Sequence, residues 1–267
     1  MTYPPPYLTF AEPDRRFLVF GFLMAFFLSF SQTFFISLFG GEIRAEFGIT
    51  HGGFGLIFST ATLASGLSLI WVGRLIDRVD LRLFTLVACL GLIGACAFIS
   101  VAAGSLALGL AIFFLRLSGQ GLMGHAAMTS MARYFETDRG KALSTANQGF
   151  HAGRGLFPMI AVGLAVAFGW RDVWVASAVV LVLVPLMAWL LKGHEARHAR
   201  MLARAVWPVS TAEGAAGRQW ALHQVLGDPR FYLLLPLALA LGFIGTGIIF
   251  HQVHLAQTKG WDLTWFA

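Results

Sequence analysis

Charge is scarce in this 267-residue chain: Asp, Glu, Lys and Arg make up 12% of it, against about 25% in a soluble domain. So few charges cannot cover a water-facing surface, which excludes an ordinary soluble globular protein. Cysteine is scarcer still, with only Cys89 and Cys96. Seven residues apart on one helix, they sit about 10 Å from each other, too far for a disulfide. A cross-linked secreted scaffold is excluded, and both read as packing residues. Acidic residues number 13, and none lies inside any of the long apolar runs.

Those runs are what the chain has in abundance, with 57% of residues hydrophobic and 14% aromatic. They are Phe17 to Phe39, Phe54 to Val72, Leu83 to Ala103, Leu106 to Met131, Ala142 to Phe168, Val173 to Leu191 and Phe231 to Val253. Each is near the ~20 residues that cross a bilayer as helix. The predicted fold class is therefore an all-α membrane protein with seven spans. The first run is too long for a signal-peptide core and lacks a small-residue cleavage site, so it reads as a retained helix.

A net charge of +6 raises the question of nucleic acid, but its placement points to a bilayer. With a cytoplasmic N-terminus, 14 of the 19 Lys and Arg fall on the cytoplasmic side, and only Arg44, Arg171 and Lys259 fall outside. This is the positive-inside pattern. It predicts an integral, multi-pass protein of a bacterial inner membrane, in contact with lipid and not with nucleic acid.

Four regions are expected: a tail over 1–16, a six-helix bundle over 17–191, a cytoplasmic linker over 192–228 and one further span over 229–267. In the linker, Arg197, Arg200 and Arg204 share one face of a short amphipathic helix suited to the membrane surface. Asp228 and Pro229 are suited to open the seventh span. A seventh helix is an unusual place for a bundle to stop, so a fragment of a longer protein is expected.

The linker also holds His194-Glu195-Ala196-Arg197-His198, the H-E-x-x-H spacing that puts two imidazoles one turn apart for zinc. The extended pattern fails, because Met201 and Arg204 stand where Gly and His would be. A basic face beside the pair repels a dication. The string reads as solvated linker, and no metal, cofactor or enzymatic activity is expected.

Between spans two and three, Gly73, Leu75, Asp77, Arg78 and Arg82 fall at the spacing G-x-L-x-D-R-x-x-x-R. This resembles the signature loop of the major facilitator superfamily, transporters with two six-helix halves joined by a long cytoplasmic linker. The resemblance extends to the six-plus-linker layout, the Arg in span four, the Gly-rich span five ending in Gly-Trp-Arg, and the Asp-Pro-Arg-Phe start of span seven. Asp80 and Leu81 depart from it where Gly and a basic residue are usual, and Asp80 is expected to keep the turn in a left-handed conformation. The resemblance implies a gating loop, with Gly73 allowing close helix approach and Asp77 locked among Arg78, Arg82 and Arg133. Topology alone would also place basic residues here. The segment from Arg139 to Pro158 is similar to helix five of the monocarboxylate and oxalate/formate branch. Gly149, Gly153 and Gly155 are similar to an antiporter motif, but Pro158 comes too late for its Gly-Pro junction, so antiport does not carry over.

Two arginines remain inside the membrane. Arg116 lies about 15 Å into span four and Arg154 about 18 Å into span five, both near the midplane of a ~30 Å core. Buried charge at that depth marks a pathway. Gln120 shares a face with Arg116, and Asn147, His151 and Arg154 share a face of span five. Gln32, with Ser29, Ser31 and Thr33, offers hydrogen bonds from span one. The alternative is a structural arginine satisfied by backbone carbonyls. His125 reads as packed, and His251 and His254 as interfacial. The expected function is secondary transport of a small organic anion by alternating access, with protons as a coupling ion. A membrane sensor or scaffold that binds without transporting is the alternative.

Overall fold

The structure, a computed structural model, describes residues 12–135, 138–179, 183–193, 195 and 222–261. Regular structure among these residues is helical throughout. Six segments are long and apolar enough to cross a bilayer: Arg15–Leu38, His51–Asp77, Leu81–Val101, Ser105–Tyr134, Arg139–Phe168 and Pro229–Phe250. The span expected at 173–191 falls on two helices, Trp170–Ser177 and Leu183–Leu190, flanking residues outside the described set. The amphipathic linker helix and both histidines of the zinc-like string lie outside the described residues.

The helices are α1 (Glu12–Phe27), α2 (Thr33–Leu38), α3 (Gly40–Phe47), α4 (His51–Val72), α5 (Leu81–Val101), α6 (Ser105–Leu115), α7 (Gly124–Tyr134), α8 (Arg139–Phe168), α9 (Trp170–Ser177), α10 (Leu183–Leu190), α11 (Leu222–Gly227), α12 (Pro229–Phe250) and α13 (Gln252–Lys259). Spans one and four are each built from two of these. One end of the bundle, the loop face, carries Asp77, Asp80 and Arg133. The opposite end, the far face, carries α3 and α13. Caps set the helix starts: Thr50 accepts from Gly53 N (3.0 Å), Asp80 from Arg82 N (2.8 Å) and Asp228 from Arg230 N (2.9 Å). Each satisfies a first-turn amide that has no partner within the helix. Asp80 is therefore extended (φ −54°, ψ 137°). The left-handed turn expected there is replaced by a cap.

Span one is the spine of the bundle, and α8 lies along it. Ala142, Ala146, Gly149 and Gly153 are buried on the contact face of α8. A Cβ at Gly149 would stand 2.1 Å from the Phe22 carbonyl oxygen, and one at Gly153 2.6 Å from that of Phe26. In lipid, helices associate through close packing rather than hydrophobic exclusion, so backbone contact across small residues holds this pair. Gly155 faces open space. The glycine-rich stretch of span five is thus a packing seam.

On the far face, Arg171 donates to Glu46 from Nε (3.0 Å) and Nη2 (2.7 Å). It also donates to the carbonyls of Ser100 (2.6 Å) and Ala102 (2.8 Å). Trp170 Nε1 donates to the other Glu46 oxygen at 2.9 Å. The Gly-Trp-Arg triplet therefore staples α3, the end of α5 and the start of α9 together. The Arg171 guanidinium, donating through two hydrogen bonds, holds the Glu46 carboxyl below its ordinary pKa.

Candidate substrate site at the bundle midplane

Two breaks in helical geometry face each other in the middle of the bundle. Span one tightens to a 3-10 turn over Leu28–Ser31 and then opens at Gln32 (φ −80°, ψ 156°) before α2 resumes. Span four relaxes into a π-helical stretch over Arg116–Met123, between α6 and α7. Close packing joins the two, since a Cβ at Gly119 would stand 2.3 Å from Ser31 Oγ. Irregular backbone at membrane depth survives only where protein groups satisfy it, and π segments concentrate at functional sites.

Arg116 supplies that satisfaction. Its Nη1 donates to the Ser31 carbonyl at 3.1 Å, and its guanidinium lies over the Phe58 ring, 5.4 Å from the centroid. The side chain is 5% exposed. Gln120, expected to share a face with Arg116, is exposed, while Arg116 points into the packing between spans one, two and four. The π-helical winding and the free carbonyl at the span-one break direct it there. Ser31 was legible as a polar residue in an apolar run, but its main-chain oxygen makes the contact. Phe58 carried no signal in sequence, being one phenylalanine among 25.

Asn147, His151 and Arg154 are all exposed on α8, on the side away from its seam with span one. The His151 ring sits edge-on to Phe150, with centroids 5.6 Å apart. Gln32 is half-buried at the break. His125 packs as expected, its Nδ1 lying 3.3 Å from Thr129 Oγ1 and its ring near Phe84.

At the loop face, Arg133 forms an ion pair with Asp77, as expected of the lock. Arg82 does not join it. Its guanidinium binds Glu195 at 2.5 Å and the Leu191 carbonyl at 3.1 Å, tying α5 to the end of span six. Glu195, the acidic residue of the zinc-like string, is engaged in an ion pair there. Arg78 is exposed. Gly73 is buried, yet a Cβ there would meet Leu69 of its own span at 3.5 Å and His125 of span four only at 3.9 Å. Ordinary contact of that kind shows that close helix approach does not depend on this glycine. A cavity of about 210 Å³ lies between Asp77, Arg78, Asp80, Thr129 and Arg133.

A helical bundle with this loop, this break in span one and a seventh span beyond a linker matches one family in sequence as well. The family described as Major Facilitator Superfamily covers residues 21–267. The chain belongs to that family. No individual curated protein matches it. As a major facilitator protein it is an integral, multi-pass membrane transporter.

Proposed function

We propose that this major facilitator protein moves a small organic anion, a carboxylate, by alternating access, with its N-terminus and loop face in the cytoplasm. The observation that carries the reading is the exposed row Asn147, His151 and Arg154 on α8. It stands in a set of spans whose lone carboxylate is Asp77, at the last residue of span two. An exposed guanidinium at membrane depth without an acidic neighbour favours an anion. Its planar fork fits a carboxylate through two parallel hydrogen bonds. In this reading Arg154 contacts the substrate, with His151, Asn147, Gln120 and Gln32 as hydrogen-bonding partners. Arg116 braces the two helix breaks from behind and adds positive potential. His151 is the member of the row whose side chain can carry a proton, which suits proton coupling. Asp77 and Arg133 hold the loop face in one state and release in the other, while Gly73, Arg78 and Arg82 shape that loop.

The test is binding of a panel of mono- and dicarboxylates to purified protein in lipid nanodiscs, beside matched organic cations. Saturable carboxylate binding that weakens progressively from wild type to Arg154→Lys to Arg154→Gln supports the proposal. Lys keeps the charge and loses the fork, and Gln loses both. Preference for cations, or binding indifferent to both substitutions, overturns it.

A further inference from the structure

Span seven meets the first six spans at the far face. The Phe250 ring lies 5.3 Å from that of Phe54 and 4.8 Å from that of Phe58. Ser37 Oγ donates to the Ile249 carbonyl at 3.2 Å, and Gln252 Nε2 donates to the Phe34 carbonyl at 3.3 Å. None of the most apolar stretch of α12 is buried along the rest of its length. The junction between the six-span bundle and the seventh span is therefore a small patch, one aromatic cluster and a few hydrogen bonds, and a modest opposing force can part it.

Such a force is built into its rim. His51, at the first turn of α4, and His254, on α13, face each other with ring centroids 4.3 Å apart. His251 and Arg44 line the same small cavity. The charged and titratable groups on the surrounding elements are few. On α3, Glu42 is exposed and does not line the cavity, Glu46 is bound by Arg171 and Trp170, and Arg44 is a fixed cation whose Nε donates to the Gly40 carbonyl at 2.9 Å. α2 carries no ionisable side chain, α13 adds Lys259, and the far end of α12 adds none besides His251. Among the described residues, the pair thus meets cations and no lining carboxylate. Both imidazoles are exposed to solvent, so protons reach them directly.

We propose that the His51–His254 pair is a pH-operated clasp: neutral, it lets span seven close on α4 at the far face, and protonated, it drives the two apart. The sign follows from linkage. Two protonated imidazoles held 4.3 Å apart beside Arg44 would repel one another, so proton binding favours the parted state. The closed contact is fully present above the ordinary histidine range and is lost as pH falls through it. The clasp is a separate claim from the identity of the anion.

The test is a distance measurement by pulsed electron spin resonance on the full chain in nanodiscs. Spin labels at the exposed positions Ala45 and Thr258 straddle the contact, and the buried native cysteines are spared by the label. A short distance at pH 8 is expected to give way at pH 5 to a longer one, the parted-to-closed ratio rising about tenfold or more, the usual scale of a coupling between two sites. His51→Gln with His254→Gln keeps the hydrogen-bonding shape without the charge and is expected to stay closed at pH 5. Three outcomes overturn the clasp: distances that ignore pH, parting at pH 5 that persists in the double variant, or no short distance at pH 8.

Discussion

Arg116 donates to the main-chain oxygen of Ser31, a residue 85 positions earlier in the chain, at 3.1 Å inside the bundle. That bond joins the 3-10 turn of span one to the π segment of span four, so this buried membrane arginine serves as a brace. Removing it leaves a carbonyl without its charged partner in a buried place. Arg116→Gln is expected to lose about 1.5–3 kcal/mol of stability, the value of a hydrogen bond to a charged group. Arg154→Gln is expected to leave stability within about 0.5 kcal/mol, as for other exposed positions. Thermal unfolding in detergent separates the two, and equal losses would refute the division of labour.

The seam between span one and α8 makes an all-or-nothing forecast about three glycines. Gly149→Ala and Gly153→Ala push a methyl into the carbonyls of Phe22 and Phe26, so the helices must separate, at a cost of about 1–3 kcal/mol or more each. Gly155→Ala meets nothing and should be neutral or slightly stabilising by helix propensity. Folded yield and melting temperature of the three variants, side by side, check this.

The far-face staple should be sensitive to acid. Glu46, held below its ordinary pKa by Arg171, contributes above about pH 4.5, and the contribution disappears as pH falls through the lowered value. Both partners are part-exposed, so the ion pair is worth about 1 kcal/mol or less. Glu46→Gln should therefore melt slightly earlier than wild type at pH 7, and the gap should close as pH falls through the lowered value. Arg171→Ala should cost more at pH 7, because it also strands the carbonyls of Ser100 and Ala102.

The lock at the loop face predicts a kinetic effect. Asp77→Asn removes the ion pair with Arg133 without touching the row on α8. Transport in proteoliposomes should slow about tenfold or more, the scale of a coupling free energy of 1–3 kcal/mol. Substrate affinity should change far less. Exchanging the pair, Asp77→Arg with Arg133→Asp, should recover part of the rate. Normal transport by Asp77→Asn at normal expression would dismiss the lock.

What could be read from the chain was whatever composition and local spacing carry. Apolar runs near bilayer length gave the spans, and the G-x-L-x-D-R spacing gave the signature loop. Asp228 before Pro229 gave the start of span seven. Asp77 was legible as the acid of a charge cluster with Arg78, Arg82 and Arg133, while the choice of Arg133 as its partner came from the packing of spans two and four. Tertiary structure decided what depends on backbone geometry. A 3-10 turn and a π stretch have no sequence period of their own, so the breaks in spans one and four, and the carbonyl of Ser31 that turns Arg116 inward, appeared only when the helices packed. The roles of Gly149 and Gly153 were settled in the same way, since a glycine's purpose is written in the atom that its missing Cβ would strike. So was the bond from Arg82 to Glu195, two residues 113 positions apart that share no local pattern and meet only because span three starts beside the end of span six.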